Sequence, residues 1–368
     1  MNIPSDLTVR APLDPNAFRP VSDVVVTHVE QSTSSAICGA VTDTESDIAV
    51  WSAGRLTYSE VSPSVRADHL FDLASVTKVL ATATLCAILN DRGKLDLDQP
   101  AADALNESGI DSRITPRSLL SHCSGLPAHV HLYKRLINRE EVVRTVCQME
   151  LEYVPLTQSV YSDMGFILLG EILERSTGKQ LNELFRDLVR EPMKLYETVF
   201  CPSPTNRDRI VPTEDDRQWR GRLVHGEVHD ENAAVMGGVA PHAGLFSTVA
   251  NVSRFARLWL NEGELDGKRF VSTETIRSFR ARANRVAGDT WALGWDTVSP
   301  GGSTSGKYFS PSSYGSLGFT GTSVWIDPER GVAVVLLTNR VHPTRDNWQI
   351  RELRPAFHDA VMESLNQI

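Results

Sequence analysis

Cysteine is scarce in this 368-residue chain, and so is lysine. The five cysteines, Cys38, Cys86, Cys123, Cys147 and Cys201, are scattered and odd in number. They form no CxxC pair, so neither a disulfide framework nor a zinc knuckle is implied. Basic residues number 37 against 46 acidic ones, which leaves a net charge of −9 and no basic block. That charge balance argues against nucleic acid or anionic membrane as a partner. Long apolar runs are also missing. The longest, such as VLATATLCAIL, falls short of the ~20 residues that span a bilayer. The first residues, MNIPSDLTVRAPLDP, lack the basic patch and apolar core of an export leader, so the sequence reads as cytoplasmic. Its hydrophobic fraction of 41% and charged fraction of 23% belong to an ordinary globular protein. Nothing repeats internally.

A first helix is expected over residues 16–31. AICGAVTD and SDIAVWSAG follow as a hairpin, rich in small and β-branched residues. From 75 to 91 the apolar positions Val76, Val79, Leu80, Ala83, Leu85, Ala87 and Ile88 predict a buried helix. TPRSLLSHC, NREEVVRTVCQM, MGFILLGEILERSTG and LNELFRDLVREPM make the middle of the chain mostly helical, and residues 201–240 read as irregular. Helices return at 249–262 and 273–281. WALGWDTV predicts a strand, SVWIDPERGVAVVLLTN a strand, turn and strand, and IRELRPAFHDAVMESL a closing helix. Strands near both ends with helices between them imply an α+β fold. A central antiparallel sheet is built from both termini in a discontinuous domain, 1–92 with 241–368, and 93–240 is an inserted, mostly helical domain.

FDLASVTKVL carries the chemistry. Ser75 and Lys78 lie three apart at a helix start, where they share one face. The helix N-terminus favours an oxyanion there. A lysine serves as base once its amine is neutral. Lys78 stands among apolar residues, while the other six lysines occupy polar settings. Ser176 and Lys179 share the spacing but sit at a helix end stopped by Gly178. A second element is Tyr161-Ser162-Asp163 ahead of the MGFILLGEIL helix; its phenol can relay a proton. The third is SLGFTGTSVWIDPERGVAVVLLTN, whose first strand can run beside the serine and offer an oxyanion donor.

Three such elements, in this order and at these spacings, resemble the serine β-lactamase and penicillin-binding protein superfamily. The resemblance is to its class C-like branch, which also holds D-alanyl-D-alanine carboxypeptidases and esterases. It extends from about residue 20 to the chain end and includes LLSHCSGLP and GGVAPHAGLFSTVANVSRFARL. It implies a β-lactamase/transpeptidase-like fold and a serine hydrolase that forms an acyl-enzyme on an ester, a β-lactam or a D-amino-acid amide. It implies Ser75 as nucleophile, Lys78 as a base kept neutral by burial, and Tyr161 as proton relay. The N–H groups of Ser75 and Phe319 form the oxyanion hole. Asp163, Ser316, Gly318 and His242 line the substrate pocket. The substrate is a small molecule, and no cofactor or metal is required. The alternative on the same scaffold is a penicillin- or peptidoglycan-binding sensor that acylates without turnover.

Two positions depart from the family. Asp163 replaces an amide, and a carboxylate can only accept where an amide can donate. Ser316 replaces the lysine or histidine of the third motif, which inclines the expectation toward a neutral ester or amide. His242-Ala243-Gly244 spells a third motif elsewhere, so His242 is a candidate substitute cation. His229-Asp230-Glu231, with His242 near, fits no familiar metal spacing. A histidine bonded to a carboxylate is expected there.

Overall fold

The structure, a computed structural model, describes residues 3–299 and 303–368. Its centre is a seven-stranded antiparallel sheet: β1 Ser5–Val9, β2 Ala36–Thr42, β3 Asp47–Gly54, β4 Asp296–Thr297, β5 Tyr314–Leu317, β6 Ser323–Asp327 and β7 Val332–Thr338. The strand order is β1-β3-β2-β7-β6-β5-β4. The two ends of the chain meet at the middle of the sheet, where β2 pairs with β7 and Ala40 faces Val335. Both strands are buried along their whole length. That is why AICGAVT and VAVVLLT read as continuous apolar runs rather than alternating ones.

Helices cover both faces. On one, α1 (Arg19–Glu30) and α6 (Ile350–Leu365) pack together, and Phe18, Val21, Val25, Phe357 and Val361 meet Trp51 and Trp325 of the sheet. On the other lie α5 (Val249–Leu260) and the helix that follows Ser75, which opens as a wide π-type turn over Lys78–Ala83 and continues as α2 (Thr84–Asp91). The α3 helix (Asp163–Thr177) packs behind it, and one apolar cluster joins Phe166 and Leu169 to Val79, Trp259 and Tyr314. The 93–240 region and the sheet thus share a core. Among the described residues, no helix is long and apolar enough to cross a membrane.

Three expectations change. The helix that follows Ser75 is not a plain α-helix, because its first turn widens around Lys78, a departure that clusters at functional sites. WALGWDTV gives only the two-residue β4. Gly294 turns left-handed at φ 86°, and a Cβ there would lie 2.6 Å from the Ala83 side chain, so the chain bends to pass that helix. Edge strand β1 falls where the sequence predicted no element; it is short and mostly exposed, with little apolar pattern to read.

Candidate active site

The site begins at a strained turn. Phe71–Asp72 pairs with Leu245–Ser247, and the chain then reverses through Ala74, whose φ of 45° lies in the left-handed region that a side chain disfavours. Buried Asp72 holds the turn. Its Oδ1 accepts the Ala74 N–H at 2.8 Å and its Oδ2 accepts the His229 N–H at 2.6 Å. Burial raises the Asp72 carboxyl pKa, and the two N–H donors oppose the rise. Ser75 follows and faces a cavity of about 720 Å³.

One turn on, Lys78 Nζ donates to Ser75 Oγ at 3.1 Å, to Asp163 Oδ1 at 2.6 Å and to the His242 carbonyl at 3.2 Å. Three acceptors match the three protons of an ammonium. Burial acts to push the Lys78 pKa down, but the Asp163 carboxylate beside the amine opposes it and the net shift is upward. The expectation of a neutral lysine meets an opposing influence here: Asp163, a carboxylate where the family has an amide, favours the charged form of Lys78. The same ion pair, with His129, holds the Asp163 carboxyl far below the usual range despite its burial.

Tyr161 and Asp163 arrive together because Ser162 caps α3, its Oγ accepting the Gly165 N–H at 2.9 Å. Lys78 Nζ lies 4.7 Å from the centre of the Tyr161 ring, and the hydroxyl faces Lys78 and Ser75. The ring is partly exposed along the cavity. Burial of the hydroxyl raises the phenol pKa, the Lys78 charge opposing, so Tyr161 rests protonated. Behind it stands His122, its ring 4.6 Å away; burial presses its pKa down to about 3 and keeps it neutral.

The third wall is β5 and the turn after it. Ser316, Gly318 and Phe319 line the cavity opposite Ser75. Gly318 has no room for a side chain, because a Cβ would lie 2.0 Å from Thr322 Oγ1 and 2.4 Å from the Leu73 carbonyl. The strand can approach the Ser75 turn only through glycine. His242 does not reach the cavity. Its side chain is 1% exposed and its Nε2 lies 3.0 Å from Asp230 Oδ1, behind the wall. His229 is likewise bonded to a carboxylate, Glu214 at 2.8 Å.

Cations reach the cavity from other parts of the chain. Arg340, Arg345, Arg351 and Arg354 all line the cavity. Arg345 is tied to Glu214 and Glu231. Arg354 is buried, donates only to the Gly318 and Thr322 carbonyls, and leaves Nε without a partner. Burial lowers its pKa to about 9, still a cation at neutral pH. Arg340 is held by carbonyls too and stacks between the rings of Phe319 and Trp348 at 4.3 and 4.6 Å. Three guanidinium groups, those of Arg340, Arg351 and Arg354, thus border the cavity without a bonded carboxylate among the described residues.

Sequence reasoning missed Asp72, His129, Arg340 and Arg354. None belongs to a motif, and each is recognised only by what the fold brings to it. His129 comes from the loop after the Pro116–Leu120 helix, and its Nδ1 lies 3.0 Å from Asp163 Oδ2. His129, Asp163 and Asp230 each turn one ligand-type atom into a space where all three lie within 4.8 Å of one another.

The profile of the Beta-lactamase family matches residues 29–354, a span that holds every residue of this site. The chain belongs to the β-lactamase family. One relative is the "Putative D-alanyl-D-alanine carboxypeptidase" of Escherichia coli O157:H7, 33% identical over 307 residues, covering 74% of this chain and 69% of that protein. Another is the "N-acetylmuramyl-L-alanine amidase" of Bacillus subtilis (strain 168), 32% identical over 310 residues, covering 74% and 68%. The crystal structure of a family VIII carboxylesterase superposes with a TM-score of 0.75 at 19% identity, covering 99% of this chain and 100% of that one. This β-lactamase-family chain has the β-lactamase/transpeptidase fold expected for it, α+β around a large antiparallel sheet. Its family and its relatives make it a hydrolase.

Proposed function

We propose that the protein is a serine hydrolase that acylates Ser75 and cleaves an amide or ester carrying an anionic group. The observation that carries this reading is the meeting of Ser75, Lys78 and Tyr161 at one cavity wall, with Ser75 Oγ 3.1 Å from Lys78 Nζ. Ser75 attacks the carbonyl. The N–H groups of Ser75 and Phe319 donate to no other described residue and so remain available to the developing oxyanion. Lys78 takes the serine proton, which requires the fraction of enzyme whose ammonium has already lost one; kcat/KM therefore rises with pH. Tyr161 hands a proton to the leaving group, and water then hydrolyses the acyl-enzyme.

The anionic preference rests on Arg354 and Arg340. A buried guanidinium that donates only to carbonyls keeps its charge uncompensated, and a substrate carboxylate supplies the missing partner. The relatives' names, a D-alanyl-D-alanine carboxypeptidase and an N-acetylmuramyl-L-alanine amidase, support an amide substrate. The third-motif serine alone inclined the expectation toward a neutral substrate; the arginines favour the opposite.

A fluorophosphonate probe followed by peptide mass mapping is expected to modify Ser75, with Ser75→Ala abolishing both label and hydrolysis. Labelling that survives Ser75→Ala sinks the assignment. The sensor alternative draws on the resting ammonium at Lys78, which slows proton removal. One stoichiometric burst with nitrocefin or an amide substrate, without later turnover, decides for the sensor.

A further inference from the structure

We propose that His129, Asp163 and Asp230 form a divalent-cation site, of the kind zinc occupies, opening on the Ser75 cavity. The donors are one imidazole nitrogen and two carboxylate oxygens, a mixture that suits zinc and its neighbours among the transition metals. They come from three separate elements: the loop after the Pro116–Leu120 helix, the first residue of α3, and the N-cap of α4 (Glu231–Val235). Metal–ligand bonds of about 2.0–2.2 Å hold neighbouring ligand atoms about 3–4 Å apart. The three atoms already lie within 4.8 Å, so small side-chain rotations close the set.

The carboxylates are held from behind as metal ligands are. Asp163 spends Oδ1 on Lys78 and turns Oδ2 toward His129. Asp230 spends Oδ1 on His242 Nε2 at 3.0 Å and on the Ala233 N–H at 2.7 Å, while its Oδ2 has no hydrogen-bond partner among the described residues. Such outer bonds fix the orientation of ligating carboxylates. Other candidates nearby are spoken for: Arg345 takes Glu214 and Glu231, and Glu214 takes His229. His129, Asp163 and Asp230 all line the cavity, so an ion has a path in and keeps coordination positions open toward the substrate. The spacing rules for metal motifs pass over this set because its residues are far apart in sequence.

Zinc binding is read without any catalytic assay, so it stands or falls separately from Ser75 chemistry. Full-length protein stripped with a chelator is titrated with zinc chloride by calorimetry, and bound zinc is counted after gel filtration. One equivalent is expected, with affinity at least tenfold weaker in His129→Ala and in Asp230→Asn and unchanged in His225→Ala, which removes a histidine outside the cavity. Melting curves of the stripped variants report on the fold. Should Asp230→Asn unfold through loss of its helix cap, His129→Ala, at a partly exposed side chain, decides alone. Absence of binding at about 100 μM zinc, or binding that His129→Ala leaves unchanged, overturns the site.

Discussion

Asp163 stands between two bases, with one oxygen on Lys78 and the other on His129. An amide there would leave Lys78 dominated by its burial, which favours the neutral amine. The carboxylate opposes that effect and raises the Lys78 pKa. The sign of the consequence follows. Replacing Asp163 by asparagine removes the contribution that raises the Lys78 pKa, and burial then pulls it down. In chelator-treated protein the acid limb of kcat/KM is expected to move to lower pH in Asp163→Asn, by about one unit or more, equivalent to ~1.4 kcal/mol per unit. A pH–rate profile on one ester substrate measures it. A limb that stays in place, or moves up, shows that the ion pair does not control the base.

At the level of elements, β4 shows how the site costs stability. The strand is cut to Asp296 and Thr297, and Asp296 sits at the cavity wall in a largely dry setting. Burial raises its pKa to about 6, against hydrogen bonds from Thr290 and the Thr297 N–H that pull the other way. A carboxyl whose folded pKa lies above its unfolded value near 3.9 favours the folded state less as pH rises. The penalty is absent below about pH 4, grows between about pH 4 and 6, and is complete above that. Asp296→Asn is therefore expected to raise stability at pH 8 by roughly 1–2 kcal/mol, partial solvent access reducing the full value, and to change nothing near pH 4. Urea unfolding at the two pH values tests this. A variant equally stabilised at both would point to packing rather than charge. The sequence could not show β4 this short, because WALGWDTV has the composition of a strand and only the passage of Ala83 against Gly294 bends it.

Across the whole molecule, charge is arranged against the average. The chain carries −9 overall, yet in one cavity Lys78 and four arginines stand beside four carboxylates, Asp163, Asp230, Glu231 and Asp296. On the proposed reading, the arginines without a bonded carboxylate attract an anionic substrate through a field that salt screens, with a Debye length of about 10 Å at 0.1 M. kcat/KM for a carboxylate-bearing substrate is expected to fall several-fold between about 0.05 and 0.5 M sodium chloride, while that for a neutral ester holds steady. Equal salt dependence for both would remove the arginines from substrate recognition. What could be read in advance follows the range of the interactions. The buried runs of β2 and β7, the hairpin, the caps of α3 and the Ser75–Lys78 spacing are local, and their residues declare them. The ion pair of Lys78 with Asp163 and the carbonyls that hold Arg354 join distant parts of the chain, and no window of sequence contains both members of either pair. His242 and Asp230 lie only twelve residues apart, and there a histidine bonded to a carboxylate was legible.

The pairing of β2 with β7 also sets an order on synthesis. Ser75, Lys78 and Tyr161 leave the ribosome early, but the strand that completes the middle of the sheet, and the helix that carries Arg354, come last. A nascent chain thus holds the Ser75–Lys78 pair long before the strand and helix that close the cavity around it exist. Contacts between the two ends of a chain form late, so the cavity is among the last parts of the molecule to be completed.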